Sequence, residues 1–333
     1  MKNALLASAS LLLAVLWGCE GATGPSGSAG RVRKVHAVPA GTVLKLAFVT
    51  NNNSDFWTIA LKGIQKAEKE LGIQVDFKAP NPGTIKEQQR ILEDLESQGY
   101  HGIAISVLHP TDINRHLNRL AGRMNVLTHD SDAPASNRLA YIGTNNFEAG
   151  VALGKEIVKI FPKGGKMAVF VGTFSADNAR QRFDGILKAI KDSKVSLEVV
   201  ARKEDDKDPI RAKKNVEDVL NAFPGLDLLV GLWSYNGPAI ASALKASGKQ
   251  NRIKVVCFDE EEPTLQAIKD GLIICTIAQK PFQFGYQSSV LLKKLCGEGE
   301  KALPNDEVID TGVTVVAKDN VDAFWADLRE QKK

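Results

Sequence analysis

LAFVTNNNSDFWTIALKGIQKAEKELG, residues 46–72, decides the fold. The apolar run Val43 to Val49 is short and bounded by polar residues, the pattern of a strand buried on both faces. Phe56, Ile59, Ala60, Ile64, Ala67 and Leu71 then recur at the spacing of one helix face, and Gly72 can end that helix. A strand, a short polar loop and an amphipathic helix make one β–α unit, and the same unit repeats downstream.

Strands are expected at Ile73 to Phe77, Gly102 to Val107 and Val126 to His129, with helices near Thr84 to Ser97 and Thr111 to Arg123. A second series follows Tyr141. It runs through helix Asn146 to Phe161, strand Lys166 to Val171, helix Ala176 to Asp192, strand Val195 to Ala201, helix Pro209 to Ala222 and strand Leu226 to Leu232. Helix Gly237 to Ser247, strand Ile253 to Phe258, helix Pro263 to Asp270 and strand Leu272 to Ile277 complete it. Repeated β–α units joined by short loops imply parallel sheets covered by helices on both faces. A chain of 333 residues with 44% hydrophobic and 25% charged side chains can fill two such cores. The expected fold class is therefore α/β, with two doubly wound lobes.

Upstream, Lys2 precedes the apolar run Ala4 to Leu16, which is too short to span a bilayer, and Leu16-Trp17-Gly18-Cys19 follows. Residues 1–18 are expected to be a signal peptide resembling those of bacterial lipoproteins. In that resemblance Cys19 carries the lipid and attaches the exported chain to a bacterial membrane, facing the periplasm or the cell surface. Trp17 departs from the small residue usual at its position. Residues 19–42 are rich in Gly, Ser, Ala and Pro and are expected to be a flexible tether, so folding should begin near Val43.

The formal net charge is +4, of which residues 1–42 hold +3, so the body carries +1. A nearly neutral body without a basic stripe lacks the footprint of a nucleic-acid binder. Cys257 and Cys275 lie in apolar runs, and with Cys296 they are expected as buried thiols; their spacing suggests no metal site, and no cofactor is implied. His109, His129 and Asp130 could suggest a metal, but neighbours on a strand face opposite ways.

In open parallel sheets, ligands lie beyond the carboxyl ends of the strands. Those ends are Asn51 to Ser54, His109, Asp130 to Asp132, Thr173 to Ser175, Trp233 to Asn236, Asp259 to Glu262 and Gln279. Aromatic rings stack on the C–H faces of sugars, while Asp, Asn, Gln and Arg meet hydroxyls that both donate and accept.

Several strings, "LAFVTNNNSDFWTIALKGIQKAEKELG", "HPTD", "ADNARQRFDGI", "YNGPAIASALKASGK", "VVCFDEEEPTLQAIKDG" and "CTIAQKPFQFGYQS", together resemble the ribose-binding branch of the type I periplasmic binding proteins. Members of that branch deliver sugars to ABC importers. The resemblance implies two lobes joined by a three-strand hinge, the first comprising residues 43–143 plus 280–309 and the second 144–279 plus 310–333. It also implies a monomer that binds a small sugar or polyol and hands it to a membrane permease.

Carried over by position, the ligand-binding residues would be Phe56 and Trp57 for stacking, with Asp130, Arg182, Asp259 and Gln279 as the polar contacts. Thr50, Ser54, His109, Trp233 and Asn236 are further candidates. Ser131 stands where the ribose proteins have an arginine, which argues against ribose itself, and Arg180 is expected at the surface. Asp259 is expected to be the strongest polar anchor, its loss weakening binding while leaving stability nearly unchanged.

A glycosidase would need two carboxylates about 5 to 9.5 Å apart across the scissile bond. The chain lacks the common nucleophile and phosphate-binding motifs; its one Ser-x-x-Lys, Ser242 to Lys245, is mid-helix. A repressor of the same body would carry a basic helix-turn-helix where this chain has an export signal. A sensory protein that presents its ligand to a receptor would share the fold and the site.

Overall fold

A computed structural model describes residues 33–54 and 56–331. The first series is β1 (Leu46–Val49), α1 (Phe56–Leu71), β2 (Val75–Lys78), α2 (Ile85–Ser97), β3 (Gly102–Ile105), α3 (Pro110–Ala121), β4 (Asn125–His129) and β5 (Ala140–Gly143). The second is α4 (Asn146–Ile160), β6 (Gly165–Val171), α5 (Asp177–Ser193), β7 (Leu197–Glu204), α6 (Pro209–Ala222), β8 (Leu228–Gly231), α7 (Asn236–Ala246), β9 (Lys254–Phe258), α8 (Glu262–Lys269) and β10 (Cys275–Ala278). The chain closes with α9 (Pro281–Glu298), β11 (Val308–Asp310), β12 (Thr314–Ala317) and α10 (Val321–Gln331).

These strands form two six-stranded sheets, ordered β11-β5-β4-β3-β1-β2 and β12-β10-β9-β8-β6-β7. All pairings are parallel except β10 with β12. The inner strands are mostly apolar because helices cover both their faces; β1, β3, β4, β5, β8 and β10 are buried at every position. Full burial of a ring such as Phe48 or Phe258 contributes roughly 1.5–3 kcal/mol. Sequence reading missed β5, α9, β11, β12 and α10; the three strands among them are too short to show a period. The edge strand β7 is nowhere fully buried, its positions partly buried or exposed.

The chain passes between the sheets three times, from β5 into α4, from β10 into α9, and from β11 into β12. Asn145 caps α4 at the first crossing by accepting from the Glu148 amide. Asp310 Oδ1 accepts from the Asn145 amide at 2.9 Å and from the Gly312 amide at 2.9 Å, tying the first crossing to the third.

The expected tether is shorter than its composition suggested. Residues 33–38 are packed: Val35 and Val38 lie against the first sheet's core. The buried side chain of Asn125 accepts from the His36 amide and donates to the His36 carbonyl, both at 2.9 Å, as a neighbouring strand would. The Val38 amide donates to Cys296 O at 2.8 Å. Apolar valines and paired backbone override the flexibility implied by neighbouring Gly and Pro. The signal peptide, Cys19 and the first part of the tether lie outside the described residues. Cys257, Cys275 and Cys296 are free and buried, as expected.

Candidate functional site

The two sheets direct the carboxyl ends of their strands at one another, and the loops there enclose about 340 Å³ of space, part of it open to solvent. The first lobe contributes Asn51, Asn52 and Ser54 from the loop after β1, Phe56 and Trp57 from the start of α1, and Asp130 after β4. The second lobe contributes Asn178 and Arg182 from α5, Trp233, Ser234 and Tyr235 after β8, Asp259 after β9 and Gln279 after β10.

β4 and β9 hold equivalent places in the two sheets, and each is followed by an aspartate in the left-handed region, Asp130 at φ 56° and Asp259 at φ 69°. Aspartate tolerates that region better than most side chains. The backbone holds Asp259 there: its amide donates to Ile277 O at 2.9 Å and its carbonyl accepts from Thr276 Oγ1 at 2.7 Å.

Asp130 accepts from Ser106 Oγ at 2.7 Å and Asn51 Nδ2 at 3.2 Å. Burial pushes its pKa up to about 6, against the opposing pull of the Arg182 guanidinium and the Ser106 bond. Asp259 accepts from Gln279 Nε2 at 2.8 Å and lies 3.6 Å from Arg182 Nη1. Burial also raises its pKa, opposed by Arg182 and Gln279.

Arg182 is fully buried. Its Nε donates to Asn146 Oδ1 at 2.9 Å, its Nη1 donates to Leu232 O at 2.7 Å, and its plane lies over the Phe258 ring at 4.4 Å. Gly150 on α4 makes this placement possible, because a Cβ there would overlap the Arg182 carbonyl. Two buried polar atoms of the cavity's residues have no partner among the described residues, the donor Arg182 Nη2 and the acceptor Gln279 Oε1. Buried groups of this kind call for a ligand or water that both donates and accepts.

The aromatic walls are braced from behind. Trp57 stands at 87° to Phe56, and its Nε1 donates to Asn52 Oδ1 at 3.1 Å. Behind it His129 lies flat on Phe48 at 3.8 Å, its pKa pushed down to about 3 by burial, so it is a neutral packing group. In the other lobe Trp233 Nε1 donates to Asn178 Oδ1 at 3.2 Å.

Of the residues proposed from sequence, Ser54, Phe56, Trp57, Asp130, Arg182, Trp233, Asp259 and Gln279 come together at the cavity. Thr50, Asn236 and His109 do not line it. Thr50 is buried beneath the loop, its hydroxyl donating to Asn52 O at 2.6 Å. Asn236 turns inward, accepting from the Trp233 amide and donating to Asp205. His109 sits at the rim, its Nδ1 2.8 Å from Ser175 Oγ of the opposite lobe. Arg180 is at the surface, paired with Asp177 and Asp184.

Sequence reading placed Asn51, Asn52, Ser234 and Tyr235 in the strand-end stretches without naming them as ligand contacts, and it passed over Asn178. Asn178 lies one turn before Arg182 on the same helix face, a spacing that could have found it. The expectation that Asp259 leaves stability nearly unchanged also changes: its carboxylate is the only one within 4.0 Å of the buried Arg182 among the described ion pairs, which gives it a part in stability.

Residues 46–301 match the periplasmic binding protein domain family. The chain is 26% identical over 265 residues to the D-allose-binding periplasmic protein of Escherichia coli K12, covering 77% of this chain and 85% of that one. It is 26% identical over 257 residues to the ribose import binding protein of the same organism, covering 76% and 84%. A solved ABC transporter solute-binding protein from Burkholderia graminis C4D1M, in complex with D-arabinose, superposes with a TM-score of 0.79 at 31% identity, covering 85% of this chain and 98% of that one.

Proposed function

The chain belongs to the periplasmic binding protein domain family, and from the cleft it builds we propose that it captures a neutral monosaccharide or polyol for an ABC importer. The observation that carries this reading is the convergence of both lobes on one cavity, where Trp57 and Trp233 offer ring surface and two buried polar atoms, Arg182 Nη2 and Gln279 Oε1, await partners. A sugar satisfies both at once, since each hydroxyl can accept from the guanidinium and donate to the amide oxygen. Asp130 and Asp259 add acceptors whose bonds to hydroxyls are charge-assisted. Two carboxylates against one guanidinium disfavour an anionic ligand, so sugar acids and sugar phosphates are expected to bind poorly.

Binding between lobes joined by three crossings closes the cleft, and release to a permease opens it. The bound molecule leaves unchanged. Two of the relatives named above are named for allose and ribose, and the solved one is in complex with D-arabinose, which supports an aldose. Export and a lipid anchor on Cys19 complete the proposal. In a Cys19→Ser variant, fatty-acid labelling should vanish and the protein should leave the membrane fraction; unchanged labelling would overturn the anchor.

A thermal-shift panel of pentoses, hexoses, inositols and sugar acids tests the sugar reading, because a ligand that binds only the folded state raises the melting temperature. At least one neutral sugar should give a saturable rise and be recovered intact. A panel without any rise, or recovery of a converted product, would overturn it.

A further inference from the structure

Behind the cavity wall lies a cluster that the ligand contacts do not use. Asp205, directly after β7, is fully buried. Its Oδ1 accepts from Tyr235 O–H at 2.6 Å and from the Lys207 backbone amide at 2.9 Å, and its Oδ2 accepts from Asn236 Nδ2 at 3.1 Å. Burial pushes its pKa up to about 6 even against these donors. The bond to the Lys207 amide closes a turn in which Asp206 and Lys207 both hold positive φ, 53° and 66°. Non-glycine residues in that region are strained and persist only where their surroundings enforce them.

The turn aims Lys207 across the cleft. Its ammonium donates to the Gly83 carbonyl at 2.7 Å, on the opposite lobe, in the turn that leads into α2. Gly83 rests on the loop that lines the cavity: a Cβ on it would lie 3.3 Å from Asn51 O and 3.5 Å from Asn52 Cβ. A continuous set of contacts therefore runs from Tyr235 in the cavity wall through Asp205 and Lys207 to Gly83, and back to the cavity at Asn51 and Asn52.

We propose that Asp205 and Lys207 are positioning residues that form a closing hook, coupling the seating of Tyr235 against the ligand to a bond that holds the lobes together. The bond between Lys207 and Gly83 exists only while the lobes are together, so it stabilises the closed form alone. A contact of that kind slows ligand exit, and it slows entry only in so far as it also closes the ligand-free protein. Ligand packed on Tyr235 keeps its hydroxyl on Asp205, and Asp205 keeps the strained turn that presents Lys207. The choice of a sugar as ligand rests on the function proposed above; the hook between the lobes does not.

Stopped-flow tryptophan fluorescence, with whichever of D-ribose, D-allose and D-arabinose binds, tests the coupling. Lys207→Met should release the sugar about fivefold faster, a partly exposed charge-assisted bond being weaker than a buried one. The association rate should rise or hold and not fall, because entry needs the open form, and the ligand-free melting temperature should change little. Lys207→Arg, which keeps a donor, should restore slow release. Tyr235→Phe keeps the ring, loses the bond to Asp205, and should also accelerate release; the double variant should gain less than the product of the two. An unchanged release rate in Lys207→Met, or a double variant equal to that product, would overturn the hook. Small-angle scattering of the ligand-free protein supplies an arm independent of any sugar. Lys207→Met should have a larger radius than the parent chain, and equal radii would count against the hook even if no sugar bound.

Discussion

Replacing Asp259 separates three roles that one side chain holds. Its carboxylate is 4% exposed, accepts from Gln279 Nε2 at 2.8 Å and faces Arg182 Nη1 at 3.6 Å. Removing one partner of a buried ion pair costs about 3–5 kcal/mol. Here the loss should fall at or below the low end, about 2–3 kcal/mol, because Arg182 keeps Asn146, Leu232 O and the Phe258 ring, and because the desolvation of the carboxylate is recovered. Asp259→Asn keeps a side chain that tolerates φ 69°, whereas Asp259→Ala adds roughly 1 kcal/mol of backbone cost. For the ligand, loss of one charge-assisted bond to a hydroxyl should weaken binding about ten- to a hundredfold, or about 1.4–2.7 kcal/mol. Urea unfolding of the ligand-free variants gives the first two quantities, and titration calorimetry gives the third. Wild-type affinity in Asp259→Asn would refute the assignment of this carboxylate to the ligand. Equal stabilities of the Asn and Ala variants would refute the backbone argument.

The raised pKa values of Asp130 and Asp205, each about 6, set two pH trends of opposite sign. A folded value above the unfolded one means that these groups favour the ligand-free fold most below about pH 4, and that their contribution is lost as pH rises through about 6. Sugar hydroxyls, in contrast, donate to ionised Asp130, so affinity should fall as pH drops from 7 to 5; calorimetry across that range would show flat affinity if Asp130 does not contact the ligand. Gly150→Ala should drive α4 from the Arg182 backbone, costing about 1–3 kcal/mol and weakening binding, as unfolding and calorimetry would report; unchanged values would mean that the helices separate freely. Asn125→Ala should release the segment paired through His36, losing about 1–3 kcal/mol and opening residues 33–42 to limited proteolysis; equal protection in the variant would assign the docking to Val35 and Val38 instead.

The β–α alternation was legible because helix faces and doubly buried strands leave different apolar periods, and because nearly every strand ends in polar or aromatic residues. The sequence alone therefore determined the α/β class, the two series of units and the strand ends where a site would lie; the resemblance of its motifs singled out Asp130, Arg182, Asp259 and Gln279 before any geometry was known. It did not determine which side of a loop each residue faces. Thr50 and Asn236 stand at strand ends as surely as Ser54 and Trp233 do, yet their side chains turn to satisfy backbone groups, a choice made by turn geometry and not by residue type. The docking of residues 33–38 was equally hidden, since its partners Asn125 and Cys296 lie about ninety and more than two hundred and fifty positions away. Only the tertiary structure brought Lys207 to Gly83 and left Arg182 Nη2 and Gln279 Oε1 without partners among the described residues, because contacts between lobes, and the polar atoms that no contact satisfies, depend on how separate loops meet in space.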